Sequence, residues 1–171
     1  MVEYYKKEML EQAKKQRKST LMAYFILLGV YVLARAGVMF WYLIQPYNHP
    51  TITWVKTVQH SLSALFVIFS FIYLGIKFKR VNRYYKMMVN LDTGIRETST
   101  GSFFEYSENL QDKNGVDFKS LVFLEWNKYK KDFFERKVLV FDEMDFPKIE
   151  ENANVRYVTQ GNVLISYEII E

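Results

Sequence analysis

Two apolar runs close together, residues 21–44 and 58–78, limit what this chain can become more than any other feature. The first holds 24 residues with one charge, Arg35. The second holds 21, with His60 and Lys77 its only basic residues. A bilayer core about 30 Å thick takes about 20 helical residues at ~1.5 Å each, so either run is long enough to cross it. Two such runs joined by a short polar turn predict a transmembrane hairpin.

The remaining residues divide by charge. Residues 1–83 carry 12 Lys/Arg against 3 Asp/Glu, a net +9, and residues 84–171 carry 11 against 16, a net −5. Half of the 171 residues are hydrophobic, yet mean hydropathy is only −0.13, which suits a chain half embedded and half soluble. The basic part flanks the apolar runs, so the overall +4 points to anionic lipid and not to nucleic acid. Absence of cysteine removes disulfides, thiolate metal sites and cysteine nucleophiles.

Residues 1–20, rich in Glu, Lys, Gln and Ala without Gly or Pro, read as a basic cytoplasmic helix. Its lysines Lys6, Lys7, Lys14, Lys15 and Lys18, with Arg17, precede the first run. Lys56 stands alone among basic residues in the connecting loop, and Lys77, Lys79, Arg80, Arg83 and Lys86 follow the second run. Positive charge marks the cytoplasmic side, so both termini are expected inside and the loop outside, in a multi-pass protein of the bacterial inner membrane. Lys14, Lys15, Arg17, Lys18, Lys77, Lys79, Arg80 and Arg83 are the expected contacts to lipid headgroups. Residues 21–33 followed by Ala34-Arg35-Ala36 also resemble a signal-peptide core with its cleavage site. The long charged lead and the resumed hydrophobicity at 38–44 oppose cleavage.

Arg35 lies nine residues from the end of its run, too deep for an interfacial anchor. A cation at that depth costs at least about 2.5 kcal/mol, so it is expected to face protein or water. Neither run contains Asp or Glu, and small residues surround it: Gly29, Ala34, Ala36 and Gly37. In the second run His60, Ser63, Ala64, Val67 and Ser70 fall on one helical stripe. Equal depth in an antiparallel pair puts Arg35 opposite about Val67, with Ser63 and Ser70 each within about one turn. An intramembrane polar seam of Arg35, Ser63 and Ser70 is therefore expected. Between the runs, Pro46 and Pro50 stop the helix, and Trp41, Tyr42, Tyr47 and Trp54 make an interfacial aromatic belt. His49 and His60 lack a neighbouring carboxylate, so no metal is expected there.

A helical extension is expected over 79–94, with Tyr84, Met87, Met88 and Leu91 at helical spacing. From 95 the pattern turns to strands. A long bent strand or strand pair covers 95–110, with Gly101 at a bulge or bend. Asn114-Gly115 signals a tight hairpin, strands follow at 116–126 and 133–141, and 142–154 is the longest loop. A last hairpin, 155–159 and 163–170, turns about Gln160-Gly161-Asn162. The fold class expected is membrane α + β: a two-helix transmembrane hairpin (21–44, 58–78) followed by a small antiparallel β-barrel over 95–171, OB-like or SH3-like.

No catalytic signature appears. The 95–171 region has no His or Cys, no phosphate loop and no nucleophile elbow, so neither an enzyme nor a cofactor is expected. Its carboxylates, Glu125 among them, are expected mostly in turns and on solvated faces. The run 142–151, with five acids against one Lys, reads as a solvated loop or a docking site for a basic partner or cation. Phe103, Phe104, Trp126, Tyr129, Phe133 and Phe134 can supply stacking faces, but a net −5 region suits barrel core and hairpin packing better than a nucleic-acid groove. The plan of a membrane helix pair with a small cytoplasmic barrel resembles that of NfeD-like proteins in architecture alone. No motif is shared residue by residue, and architecture does not carry function. The expected role is a non-enzymatic interaction or assembly subunit, partnered by lipid and by a membrane protein or further copies of itself. The rival is a homo-oligomeric channel or transport element with Arg35, Ser63 and Ser70 lining the pathway.

Overall fold

The computed structural model describes residues 1–46, 49–113 and 115–170. Tyr47 of the expected aromatic belt and Asn114 of the expected hairpin turn lie outside the described residues. The chain forms two compact units, Lys15–Asn82 and Met1–Lys14 with Arg83–Glu171.

The helices are long. α1 (Lys7–Ile44) takes in the basic lead and the whole first apolar run. α2 (Thr51–Ile72) begins directly after Pro50, whose φ of −63° is already helical, so it starts well before the apolar run does. It continues through a π-helical stretch (Tyr73–Phe78) into α3 (Lys79–Thr93), so the chain is helical from Thr51 to Thr93. Both long helices are apolar enough to cross a membrane, and none of their apolar windows is buried within the structure. Leu33, Phe40, Leu43, Val67 and Phe71 are all well exposed, unlike the core helices of a water-soluble domain.

The strands are β1 (Val2–Glu3), β2 (Glu97–Lys113), β3 (Val116–Asn127), β4 (Asp132–Phe141), β5 (Asn154–Gln160) and β6 (Val163–Ile170). Strands β2, β3, β4, β6 and β5 pair in that order, and β5 returns to β2, closing a five-stranded barrel. The barrel is mixed, not antiparallel as expected, because β4 and β6 run parallel at Leu139–Val163. The 142–153 loop and β5 carry the chain back, so that β6 re-enters beside β4 in the same direction. Strand β2 is one long bent strand. It pairs with β5 through Ser102 and with β3 from Ser102 onward, with irregular register after Phe103 and after Ser107. The bend needs Gly101, where an added Cβ would stand 2.9 Å from the Leu124 carbonyl oxygen. Gly161 and Asn162 both have positive φ (53° and 67°), the two-residue turn that matches strand twist in a β5–β6 hairpin.

Alternation sorts the strands into two apolar layers. One holds Phe103, Leu121, Phe123, Val138, Val140, Val155, Tyr157 and Leu164, with Ile149 from the loop. The other joins Phe118, Leu139, Phe141, Val163 and Ile165 to Met87, Met88 and Leu91 of α3. Tyr5 and Ala13 are buried in this second layer, and Met9 and Leu10 pack against it. The first residues are therefore not a free helix. Val2 pairs with Tyr167 and Glu3 with Ser166, and the Tyr4 and Tyr5 amides both donate to the Ile165 carbonyl at 2.8 and 3.0 Å.

Candidate functional site

Within the helical unit, aromatic contacts set the pairing. Tyr24 stacks on Tyr73, with ring centroids 5.8 Å apart, and Tyr31 lies parallel to Phe66 at 4.1 Å. The Tyr73 hydroxyl donates to the Thr20 carbonyl at 3.0 Å. This register brings half-buried Arg35 to Ser63: Nη1 donates to Ser63 Oγ at 2.7 Å and to the Gln59 carbonyl at 3.3 Å. Ser63 in turn donates to the same carbonyl at 2.7 Å. Ser70 instead bonds the Phe66 carbonyl of its own helix at 2.8 Å. Val67, expected opposite Arg35, is exposed, as are His60 and Ala64. The partner level moves from about 67 to 59–63 because α2 starts earlier than its apolar composition suggests. A cavity of about 260 Å³ opens beside this seam, lined by Ala34, Arg35, Val38, Val55, Val58 and Leu62 among others.

Lys14, Lys15, Lys18, Lys77, Lys79, Arg80 and Arg83 are exposed, and Arg17 is half-buried. Lys14 meets Glu11 at 3.9 Å, and the Lys77 ammonium sits 5.2 Å from the Tyr73 ring centre.

A second polar cluster lies in the barrel. The β4 residue Arg136 donates to Glu97 at 2.7 Å, Ser99 at 2.8 Å, Glu125 at 3.4 Å and Thr159 at 3.4 Å. Its guanidinium carbon is 5.9 Å from the Tyr157 ring centre, and the buried Tyr157 hydroxyl donates to Glu125. Burial and then the Glu125 hydrogen bond push the Tyr157 phenol well above its ordinary range. Burial pulls the Arg136 guanidinium down, but the Glu97 hydrogen bond and the Glu125 charge outweigh it, so the net shift is upward. Glu125, expected on a solvated face, is thus drawn into the barrel wall. The visible signal is parity: Glu125 follows Leu121 and Phe123 on one face of β3, and Arg136 precedes Val138 and Val140 on one face of β4. The cluster is internally satisfied, so its chemistry is that of a tie between strands. Among the described residues no group of three His, Cys, Asp or Glu side chains can hold a metal ion.

Of the six aromatics expected in the barrel core and in hairpin packing, Phe103 is buried in the core, and Trp126 and Phe133 pack across the β3–β4 hairpin with ring centroids 5.0 Å apart. Trp126, Tyr129, Phe133 and Phe134 are exposed because the β3–β4 hairpin runs on past Arg136, and Phe104 is exposed on β2. In the 142–151 loop Glu143, Asp145, Glu150 and Glu151 are exposed, while Asp142 meets Lys119 at 3.1 Å. Met144, Phe146 and Ile149 of the same loop pack onto the barrel core, so the acids ride on an anchored plug. No protein-family model, curated protein or solved structure matches the chain.

Proposed function

We propose that this chain is a two-span inner-membrane protein, both termini cytoplasmic, that works as a non-enzymatic assembly subunit. The carrying observation is Arg35, a cation in an apolar helix hydrogen-bonded to neutral acceptors, in a stretch with no Asp or Glu from residue 12 to residue 91. Such a group in lipid marks a functional contact by default. Exposure of both apolar windows supports lipid as their solvent. Pairing of β1 with β6 supports a same-side topology, since residues 2–3 and the barrel must share one aqueous compartment. Charge bias then makes that compartment the cytoplasm. The barrel reads as OB-like more than SH3-like, because a closed five-strand order with one parallel pair fits the former.

The chain lacks cysteine, so single cysteines report its topology directly. In intact cells Thr51→Cys should react with an impermeant maleimide, and Lys128→Cys should react only after permeabilisation. Labelling of both from one side would overturn the reading. Association is tested separately: Arg35→Leu should weaken co-purification with a stoichiometric partner from mild detergent. Unchanged co-purification, with altered ion selectivity after reconstitution, would favour the pore instead.

A further inference from the structure

We infer that the Arg35 crevice receives a carboxylate-bearing transmembrane helix of a different protein, and not a second copy of this chain. The inference rests on the membrane-assembly reading above. Arg35 makes two hydrogen bonds in the structure, both through Nη1 and both to uncharged oxygens. A guanidinium has five donors and a fixed positive charge, so its neutral partners leave the charge uncompensated.

Three sources of an anion are available to a group in a bilayer. A second copy brings none, because residues 12–91 contain no Asp or Glu, and a two-fold contact at this position would set guanidinium against guanidinium. Lipid headgroups lie too far away: nine residues separate Arg35 from Ile44, about 13 Å of helix rise in a core about 30 Å thick. A helix carboxylate can be placed at any depth. The surroundings fit a helix as well. The cavity beside Arg35 is walled by Ala34, Val38, Val55, Val58 and Leu62, giving an apolar seat around one cation. Gly37, one turn from Ala34, has open space where a Cβ would stand, so a neighbouring backbone can approach closely.

The probe is a synthetic Leu/Ala transmembrane peptide with a single mid-span Glu, compared with a twin carrying Leu at that position. Each is reconstituted with the full-length protein in bicelles, and association is read by energy transfer to a label at Lys128→Cys. The Glu peptide should associate about tenfold better than its twin, the range of one strong polar contact in lipid. Arg35→Gln should cancel the difference, and Arg35→Glu should transfer the preference to an Arg-bearing peptide. Equal binding of both peptides to the wild type, or a Glu preference that survives Arg35→Gln, would overturn the inference. So would Arg35-dependent energy transfer between two labelled copies of the chain. Maleimide topology measured on the same variants separates the outcomes: two spans without a Glu preference removes this inference and leaves the two-span topology standing.

Discussion

The Tyr157 hydroxyl donates its hydrogen to the Glu125 carboxylate inside the barrel wall, with Arg136 held against both. A phenol that donates to a carboxylate in a buried site resists ionising, so its folded pKa lies above the ordinary value of 10.0. Tyr4, pushed up to about 12 by burial and then by Asp145 and Tyr167, behaves alike. Above pH 10 the unfolded chain loses these protons first, so stability is full below that pH and falls as pH rises toward the folded values. Thermal unfolding of the barrel followed by near-ultraviolet circular dichroism should show a declining midpoint from about pH 10 to 12. Tyr157→Phe should flatten that decline. At neutral pH the same change should cost about 1–3 kcal/mol, because the Glu125 oxygen loses one of its two donors and keeps only the longer bond from Arg136.

Gly101 lies against β3 with no room for a side chain. Gly101→Val should destabilise the barrel by about 1–3 kcal/mol, because the new side chain meets the Leu124 carbonyl and the Glu125 side chain. Urea unfolding midpoints of the full-length protein in detergent check this. An unchanged midpoint would mean that β2 does not hold its bend at Gly101.

The first residues are part of the core. Tyr5→Ala should cost about 3 kcal/mol, since its ring is buried against α3 and the barrel. Tyr5→Phe should cost far less, as the hydroxyl makes only a 3.5 Å contact with the Met88 carbonyl. Limited proteolysis should cut the barrel of Tyr5→Ala faster than that of Tyr5→Phe.

Ser63 and Ser70 should separate under mutation. Ser63→Ala removes an oxygen that accepts from Arg35 and should loosen the helix pair by about 0.6–2 kcal/mol, whereas Ser70→Ala removes a bond within one helix. Unfolding of the helical unit by rising detergent mole fraction should order the three proteins as Ser63→Ala, Ser70→Ala and wild type, from least to most stable.

Lys131 adopts a φ of 53° at the β3–β4 turn. Left-handed backbone costs a side-chain-bearing residue about 1–2 kcal/mol, so Lys131→Gly should raise the barrel's thermal midpoint. A lowered midpoint would show that the Lys131 side chain, not its backbone, matters there.

Apolar length alone exposed both long helices, and turn residues placed every barrel strand to within a few positions. Gly161-Asn162 located its hairpin because two positive φ values demand such residues. What stayed hidden depended on partners far away in sequence. Val2–Tyr5 have helix-compatible composition, and only the edge of β6 draws Val2 and Glu3 into a strand and holds the Tyr4 and Tyr5 amides. The parallel β4–β6 contact leaves no local mark. Glu125 and Arg136 look like ordinary surface charges until strand register brings them within 3.4 Å. The sequence does not say which aromatics enter the core and which pack on the hairpin alone, because hydrophobic strand residues imply burial only where the hairpin stays within the barrel. Arg35 was legible as a problem. Its meeting with Ser63 was legible only in part, because the start of α2 is set by Pro50 and not by hydrophobicity.

The pairing of Val2 with Tyr167 imposes an order on biogenesis. Residues 2–5 leave the ribosome long before β6 is synthesised, so their ladder partner does not yet exist. Both apolar helices are made in that interval, and in the two-span topology proposed above insertion of the second returns the nascent chain to the side where those residues wait. Only when β6 is complete can they dock, which makes closure of this edge a late step in maturation. A stalled or mis-inserted second helix would leave β6 paired with β5 but without β1, and that open edge is a template for pairing with another chain.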